Sequence, residues 1–231
     1  MTVLDHVDTP FFIVDFDRTL VDTDKLNEVF REVAEQYGAI SKEQLIKADA
    51  DVKRTGDSFD TAGYVRDRLA AEGRGDEWQA LEKQYIHESR SLNYLLPGAA
   101  ELLEWLAASG QRYGILTYGN PLWQRIKLTA AGFNHTHHII MEQKQKGRFI
   151  STWRRVDDTY RIPEALGGGN ASYVVLIDDK AVSFSQFPEV AATGYWVCDP
   201  ETMLDAQKGE VGHNVVRVNN LHELIVVFSD R

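Results

Sequence analysis

Three short apolar runs, each ending in residues able to do chemistry, constrain this chain most. They are Phe11-Phe12-Ile13-Val14 before Asp15, Gly114-Ile115-Leu116 before Thr117, and Val174-Val175-Leu176-Ile177 before Asp178-Asp179. Runs that never alternate toward water suit strands covered on both faces, as in a parallel sheet flanked by helices. Residues 137–141, 194–198 and 215–218 predict further strands. After Pro97, Leu102, Leu103, Trp105 and Leu106 recur at helical spacing until Gly110 closes the helix. Asn120-Pro121 predicts an N-cap with proline at the first helical position, opening a helix that runs to Gly132. Strands alternating with helices imply an α/β fold built on a doubly wound, mainly parallel sheet, with its site at the carboxyl ends of the strands. Asp15, Thr117 and Asp178-Asp179 all fall there.

Residues 21–95 differ in kind. No strand-like run occurs in them, while Leu26, Val29, Phe30, Val33 and Tyr37 follow helical spacing up to Gly38, and Trp78, Leu81, Tyr85 and Leu92 predict a second helix. The expected organisation is therefore a Rossmann-like core from residues 1–20 and 96–231, with 21–95 as an all-helical cap over the carboxyl edge of the sheet. The length of 231 residues fits one sizeable domain with an insert.

Composition narrows the partners. An excess of 35 acidic over 25 basic side chains, a formal charge of −10, argues against nucleic acid and anionic membranes, whose affinity comes from clustered cations. The single cysteine, Cys198, allows no internal disulfide. No basic leader and no long apolar run precede the core, so a cytoplasmic location is expected. His135, His137 and His138 form no metal motif with a cysteine or aspartate near them in sequence, and read as structural or surface residues.

Asp15 and Asp17 lie two apart at a strand end, so an extended chain projects both to one side. Carboxylates held that closely repel unless a cation or a shared proton offsets the charge. Mg²⁺ suits such a place, because it favours one or two carboxylates, waters and a substrate phosphate. Asp178 and Asp179 supply further acidic ligands from another strand end. Either pair alone also reads as a solvated strand end or a helix cap. Together with Thr117 and the downstream lysines, they point to phosphoryl transfer.

Asp15-Phe16-Asp17-Arg18-Thr19 resembles the Asp-x-Asp-x-Thr signature of the haloacid dehalogenase-like hydrolases. Thr117 after Gly-Ile-Leu resembles their second motif, and Ile177-Asp178-Asp179 their fourth. The Leu96-Pro97-Gly98 lead into a helix and a helical cap between the first two motifs are also similar to members of this family. The resemblance implies that Asp15 attacks phosphorus to give an aspartyl-phosphate, while Asp17 protonates the leaving oxygen and then activates water. Crowding beside Asp15 is expected to raise the pKa of Asp17. Mg²⁺ is expected on Asp15, the backbone carbonyl of Asp17, Asp179 and, directly or through water, Asp178. Thr117 is expected to bind a phosphoryl oxygen, helped by the helix start at Asn120.

The third motif calls for a lysine, and the chain offers Lys144 and Lys146, of which Lys146, before Gly147, is preferred. Its distance in sequence from Asp178 predicts an inserted hairpin around residues 148–158; otherwise Arg154 or Lys180 does this work. Residues 144–155 hold five basic side chains and no acid, which steer an anion or mark an exposed hairpin. The expected function is a Mg²⁺-dependent phosphatase acting on a small phosphorylated metabolite. A phosphomutase of the same superfamily, or a phosphatase acting on a macromolecular phosphate, is the alternative. A dehalogenase has no need of Asp17. Candidate specificity contacts in the cap include Arg54, Tyr64 and Arg66.

Overall fold

The computed structural model describes residues 9–54, 58–199, 201 and 209–229. Residues 1–8 of the expected core, 55–57 of the expected cap, and 200, 202–208, 230 and 231 lie outside the described residues. Strand β1 (Pro10–Val14) is followed by helices α1 (Thr23–Gln36), α2 (Lys42–Lys53), α3 (Thr61–Ala71) and α4 (Trp78–Ser89). Next come α5 (Ala99–Ala108), β2 (Arg112–Tyr118), α6 (Pro121–Ala130), β3 (His138–Met141) and α7 (Lys146–Ser151). The chain continues through β4 (Tyr160–Arg161), β5 (Asn170–Ala171), β6 (Tyr173–Asp178), β7 (Ala192–Val197), β8 (Val215–Val218) and α8 (Leu221–Ser229).

Six strands form one sheet in the order β3-β2-β1-β6-β7-β8, with every pairing parallel. The unbroken apolar runs have a direct cause. Phe12 and Val14 of β1, with Val175 and Ile177 of β6, enter one hydrophobic cluster, while Phe11, Ile13, Val174 and Leu176 enter another. Alternate side chains thus fill two cores, one on each face of the sheet. Val14 sits beside both Ile115 and Ile177, so the carboxyl ends of β1, β2 and β6 lie along one side of the sheet. That register delivers Asp15, Thr117 and Asp178 to one edge.

Between β1 and α5 the described residues hold helices but no strand of the sheet. The apolar stripe of α1 buries Leu26, Val29, Phe30 and Val33, and Asp22 caps the helix by accepting from the backbone N–H groups of Asp24 and Lys25. Helices α2 and α3 add to the two helices the spacing predicts. Neither carries a broad apolar stripe: α3 buries Ala62, Gly63, Val65 and Leu69, small residues for the most part. Their starts are nonetheless marked, α2 by a reciprocal Ser41–Gln44 capping box and α3 by Asp60 accepting from the Gly63 N–H.

The helical segment and the sheet share a core. Phe30 of α1 meets Trp123 of α6 with ring centroids 4.6 Å apart, and Tyr85 of α4 approaches the same indole at 5.7 Å. Residues 146–151 form helix α7 rather than one arm of a hairpin. A tight antiparallel turn follows it, with Arg161 N–H donating to Trp153 O at 2.8 Å and Arg155 N–H to Thr159 O at 2.8 Å. The expected hairpin is therefore shorter and lies further along the chain. Residues before 152 instead bury Lys146, Gly147 and Ile150, which a solvent-exposed hairpin would not do.

Trp123 is 5% exposed. Trp123→Ala is expected to cost about 3–5 kcal/mol in urea unfolding, because it opens a cavity between two aromatic partners. A loss below about 1 kcal/mol would refute the joint core.

Candidate active site

The site starts where β1 stops. Asp15 N–H donates to Ile177 O at 2.9 Å, extending the parallel pairing by one residue before the chain turns. Arg18 adopts φ +62°, an uncommon conformation for a residue with a side chain, and the turn closes through Leu20 N–H to Phe16 O at 3.1 Å. This turn gives the two aspartates different neighbours. Thr19 Oγ1 donates to Asp15 Oδ2 at 3.1 Å. Asp17 instead accepts from Thr23 Oγ1 at 2.8 Å, from Gln124 Nε2 at 2.7 Å and from the Lys127 ammonium.

Lys146 Nζ donates to Asp15 Oδ1 and to Asp178 Oδ2, bridging the ends of β1 and β6. Its seat depends on Gly147: a Cβ there would lie 2.4 Å from Ser185 O, so only glycine lets α7 approach residues 183–187 this closely. Of the expected alternatives, Arg154 pairs with Asp158 on the surface, and Lys180 Nζ stands 3.7 Å from Asp179 Oδ1. Lys144 lies over the Tyr118 ring, 5.5 Å from its centroid. Of the five basic residues in 144–155, Lys144 and Lys146 line the site cavity, while Arg148, Arg154 and Arg155 are exposed. Thr117 is fully buried, and its Oγ1 has no hydrogen-bond partner among the described residues. A buried hydroxyl left in that state calls for a ligand oxygen.

Carboxylate oxygens of Asp15, Asp178 and Asp179 lie within 4.8 Å of one another, and all three residues are buried. Hard oxygen donors gathered from two strand ends fit a divalent cation such as Mg²⁺. The histidines join no such group among the described residues.

Burial dominates the electrostatics. It pushes the Asp15 carboxyl up, Lys146 pulls it down less strongly, and Asp178 adds to the rise. Burial, with Asp15 and Asp178 as further contributors, carries Asp179 up to about 7 against the downward pull of Lys180. Lys146 moves the other way: burial disfavours its charge, but the two carboxylates outweigh that and hold it above the usual lysine value. Asp17 corrects the sequence-based expectation. Burial would raise it, yet the charge of Lys127 and the hydrogen bonds from Lys127, Gln124 and Thr23 bring it down to about 2. The dominant neighbour of Asp17 is a cation, not Asp15.

Lys127, Gln124 and Thr23 escaped the sequence reading. The signal for two of them was present in the Asn120-Pro121 helix start, since Trp123, Gln124 and Lys127 then share the helix face turned toward the strand ends. Asn120 does cap α6, accepting from Leu122 N–H at 3.0 Å. Arg54, Tyr64 and Arg66 do not line the cavity; Asn27, Arg31, Leu45 and Phe59 take that place. Arg54 and Arg66 pair with Asp51 and Asp67 on the surface, and Tyr64 leans on Phe59.

The family model described as haloacid dehalogenase-like hydrolase matches residues 12–161. The chain belongs to the haloacid dehalogenase-like hydrolases. It is thus an enzyme of a hydrolase family, with the family's α/β Rossmann-like fold. A search of curated proteins finds no match. Among solved structures, a haloacid dehalogenase-like hydrolase from Burkholderia xenovorans LB400 superposes with a TM-score of 0.63 at 18% identity, covering 96% of this chain and 98% of that one. A phosphatase of the family from Thermococcus onnurineus gives 0.51 at 18%, covering 96% and 98%. The L-2-haloacid dehalogenase from Xanthobacter autotrophicus gives 0.52 at 15%, again covering 96% and 98%. Likeness at this level of identity speaks for the fold. Among the described residues no helix is long and apolar enough to cross a membrane.

A carboxyl whose pKa is raised by folding binds its proton more tightly in the native state, so its contribution to stability is lost as pH rises through that value. In EDTA, thermal unfolding is therefore expected at higher temperature at pH 6 than at pH 8, with a smaller difference in Asp179→Asn. Mg²⁺ affinity, followed by calorimetry, should run the opposite way and strengthen up to about pH 7, since binding must displace the Asp179 proton. A pH-independent affinity between pH 5.5 and 7.5 would refute this assignment.

Proposed function

We propose that the protein is a Mg²⁺-dependent phosphatase that hydrolyses a phosphate monoester of a small molecule through an aspartyl-phosphate on Asp15. The observation that carries this reading is the Lys146 bridge. One buried ammonium ties Asp15 to Asp178 at the floor of a cavity of about 560 Å³, with Asp17 and its own cation on the wall. A cavity of that size suits a small molecule, within the roughly 300–1,000 Å³ of ordinary ligand pockets.

In the first step an Asp15 oxygen bonds to phosphorus, and the bond from phosphorus to the leaving oxygen breaks. Lys146 neutralises the nucleophile beside the incoming phosphate, and Thr117 Oγ1 donates to a phosphoryl oxygen. Asp17 is ionised, so the proton taken by the leaving oxygen comes from its ion-pair partner Lys127, whose pKa burial lowers. In the second step water attacks phosphorus and gives a proton to Asp17, which returns it to Lys127. The bond from phosphorus to the Asp15 oxygen breaks, the electron pair returns to the Asp15 carboxylate, and inorganic phosphate leaves. A divalent cation held by Asp15, Asp178 and Asp179 would offset the charge of the phosphoryl group and of the clustered carboxylates. Asp17 also speaks against carbon–halogen hydrolysis, which has no leaving alkoxide to protonate.

Asp15→Asn is expected to lose phosphate release from p-nitrophenyl phosphate in Mg²⁺ by at least about 10³-fold; undiminished release would refute the mechanism. Appearance of an isomeric phosphate ester in place of free phosphate would favour a mutase instead. Lys127→Met is expected to lower kcat by about 10²-fold or more with a smaller change in KM. It should also move the acidic limb of the pH–rate profile to higher pH, because burial then raises Asp17 against the hydrogen bonds of Gln124 and Thr23 alone. A profile identical to that of the native enzyme would remove Lys127 from the proton path.

A further inference from the structure

The cavity extends well beyond the space a phosphate needs, and its far wall is built by α1. Thr23, Asn27 and Arg31 all line it, spaced one helical turn apart on a single face. The row starts at the catalytic carboxylates, because Thr23 Oγ1 donates to Asp17. It ends about 12 Å away, eight residues at about 1.5 Å each along the helix. Leu45, Phe59 and Trp123 supply apolar surface along the same cavity.

The charged residues lining the cavity differ in their partners: Arg18 pairs with Asp24, Lys144 lies over the Tyr118 ring, and Asp49 adds a carboxylate from α2. Lys127 answers Asp17 on the wall, and Lys146 and Lys180 answer the buried aspartates at the floor. Arg31 answers none of them. Its side chain is 19% exposed, and among the described residues its ion pair is with Glu28 at 3.4 Å, a carboxylate already engaged by Lys42 at 2.9 Å. Most of the guanidinium's fork of donors is thus left for a ligand, and that fork matches the two oxygens of a carboxylate or phosphate. Midway along the row, Asn27 Oδ1 is buried with no hydrogen-bond partner among the described residues. A donor on the substrate, such as a hydroxyl or amide, would satisfy it.

We propose that the substrate is a phosphate monoester carrying a second anionic group, carboxylate or phosphate, at its far end, and that Arg31 receives that group. The inference rests on the phosphatase reading for the identity of the near group, and on the α1 row for the far one.

The test uses full-length enzyme with Mg²⁺ and a matched set of probes: ω-phosphooxy carboxylic acids of graded chain length, their carboxamides and the corresponding bisphosphates. The native enzyme is expected to prefer an anionic probe over the carboxamide by about tenfold or more in kcat/KM, the size of one charge-assisted hydrogen bond. Whether the acid or the bisphosphate leads identifies the group. The preference should collapse toward unity in Arg31→Gln and survive in part in Arg31→Lys, with circular dichroism confirming the fold of each. Equal rates for acid and carboxamide in the native enzyme, or a preference that survives Arg31→Gln, would overturn the proposal. The same probes bound to Asp15→Asn by calorimetry separate the two readings. An Arg31-dependent preference in binding without hydrolysis by the native enzyme upholds the distal anion site and removes the phosphatase. No preference in binding removes the distal site.

Discussion

Everything at this site depends on one buried cation, Lys146. Three strand-end aspartates, Asp15, Asp178 and Asp179, are each no more than 2% exposed. Carboxylates taken that far out of water are costly, and they repel one another in surroundings of low polarity. The ammonium of Lys146 lies between two of them and offsets both costs. Its position is set by packing rather than by charge: α7 can bring it there because Gly147 lets the helix press against residues 183–187. Without that close approach, the floor of the site would hold uncompensated charge in place of carboxylates beside a cation.

A second buried lysine organises the wall. Lys127 sits within 6.0 Å of the Phe16 ring centroid and 5.8 Å of that of Trp123, in addition to its pairing with Asp17. Aromatic faces favour a cation held in so little water. Helix α6 thus serves two purposes with adjacent residues. Trp123 joins the helical segment to the sheet, while Gln124 and Lys127 hold Asp17. Any movement of the helical segment against the sheet would pass through the helix that orients the second aspartate. α1 makes the same link from the other side, with Phe30 in the shared core and Thr23 on Asp17.

Much of this was legible in the linear chain. Side chains that alternate between two cores leave an unbroken apolar run, so β1, β2 and β6 stood out, and the residues after them had to share an edge. Asn120-Pro121 and the Leu96-Pro97-Gly98 lead marked helix starts through local chemistry that acts within a turn. Helices α2 and α3 were less visible because they bury few large side chains, and their fit is to neighbours distant in sequence. Helix α7 was hidden for a related reason: the long stretch from Lys146 to Asp178 suggests a hairpin until the close packing of Gly147 against residues 183–187 is in place. Asp17 shows the limit most clearly. Spacing placed it two residues from Asp15, but the sign of its pKa shift was decided by Lys127, 110 residues away.

Sequence alone therefore determined the elements whose causes are local or periodic: the strands, their common carboxyl edge, the acidic residues upon it and the helical character of the segment between β1 and α5. Tertiary structure alone decided which cation meets which carboxylate, and which side chains of α1 form the far wall of the cavity. The physical reason is that burial and pairing energies depend on distances between residues far apart in the chain, and periodicity carries no record of those distances.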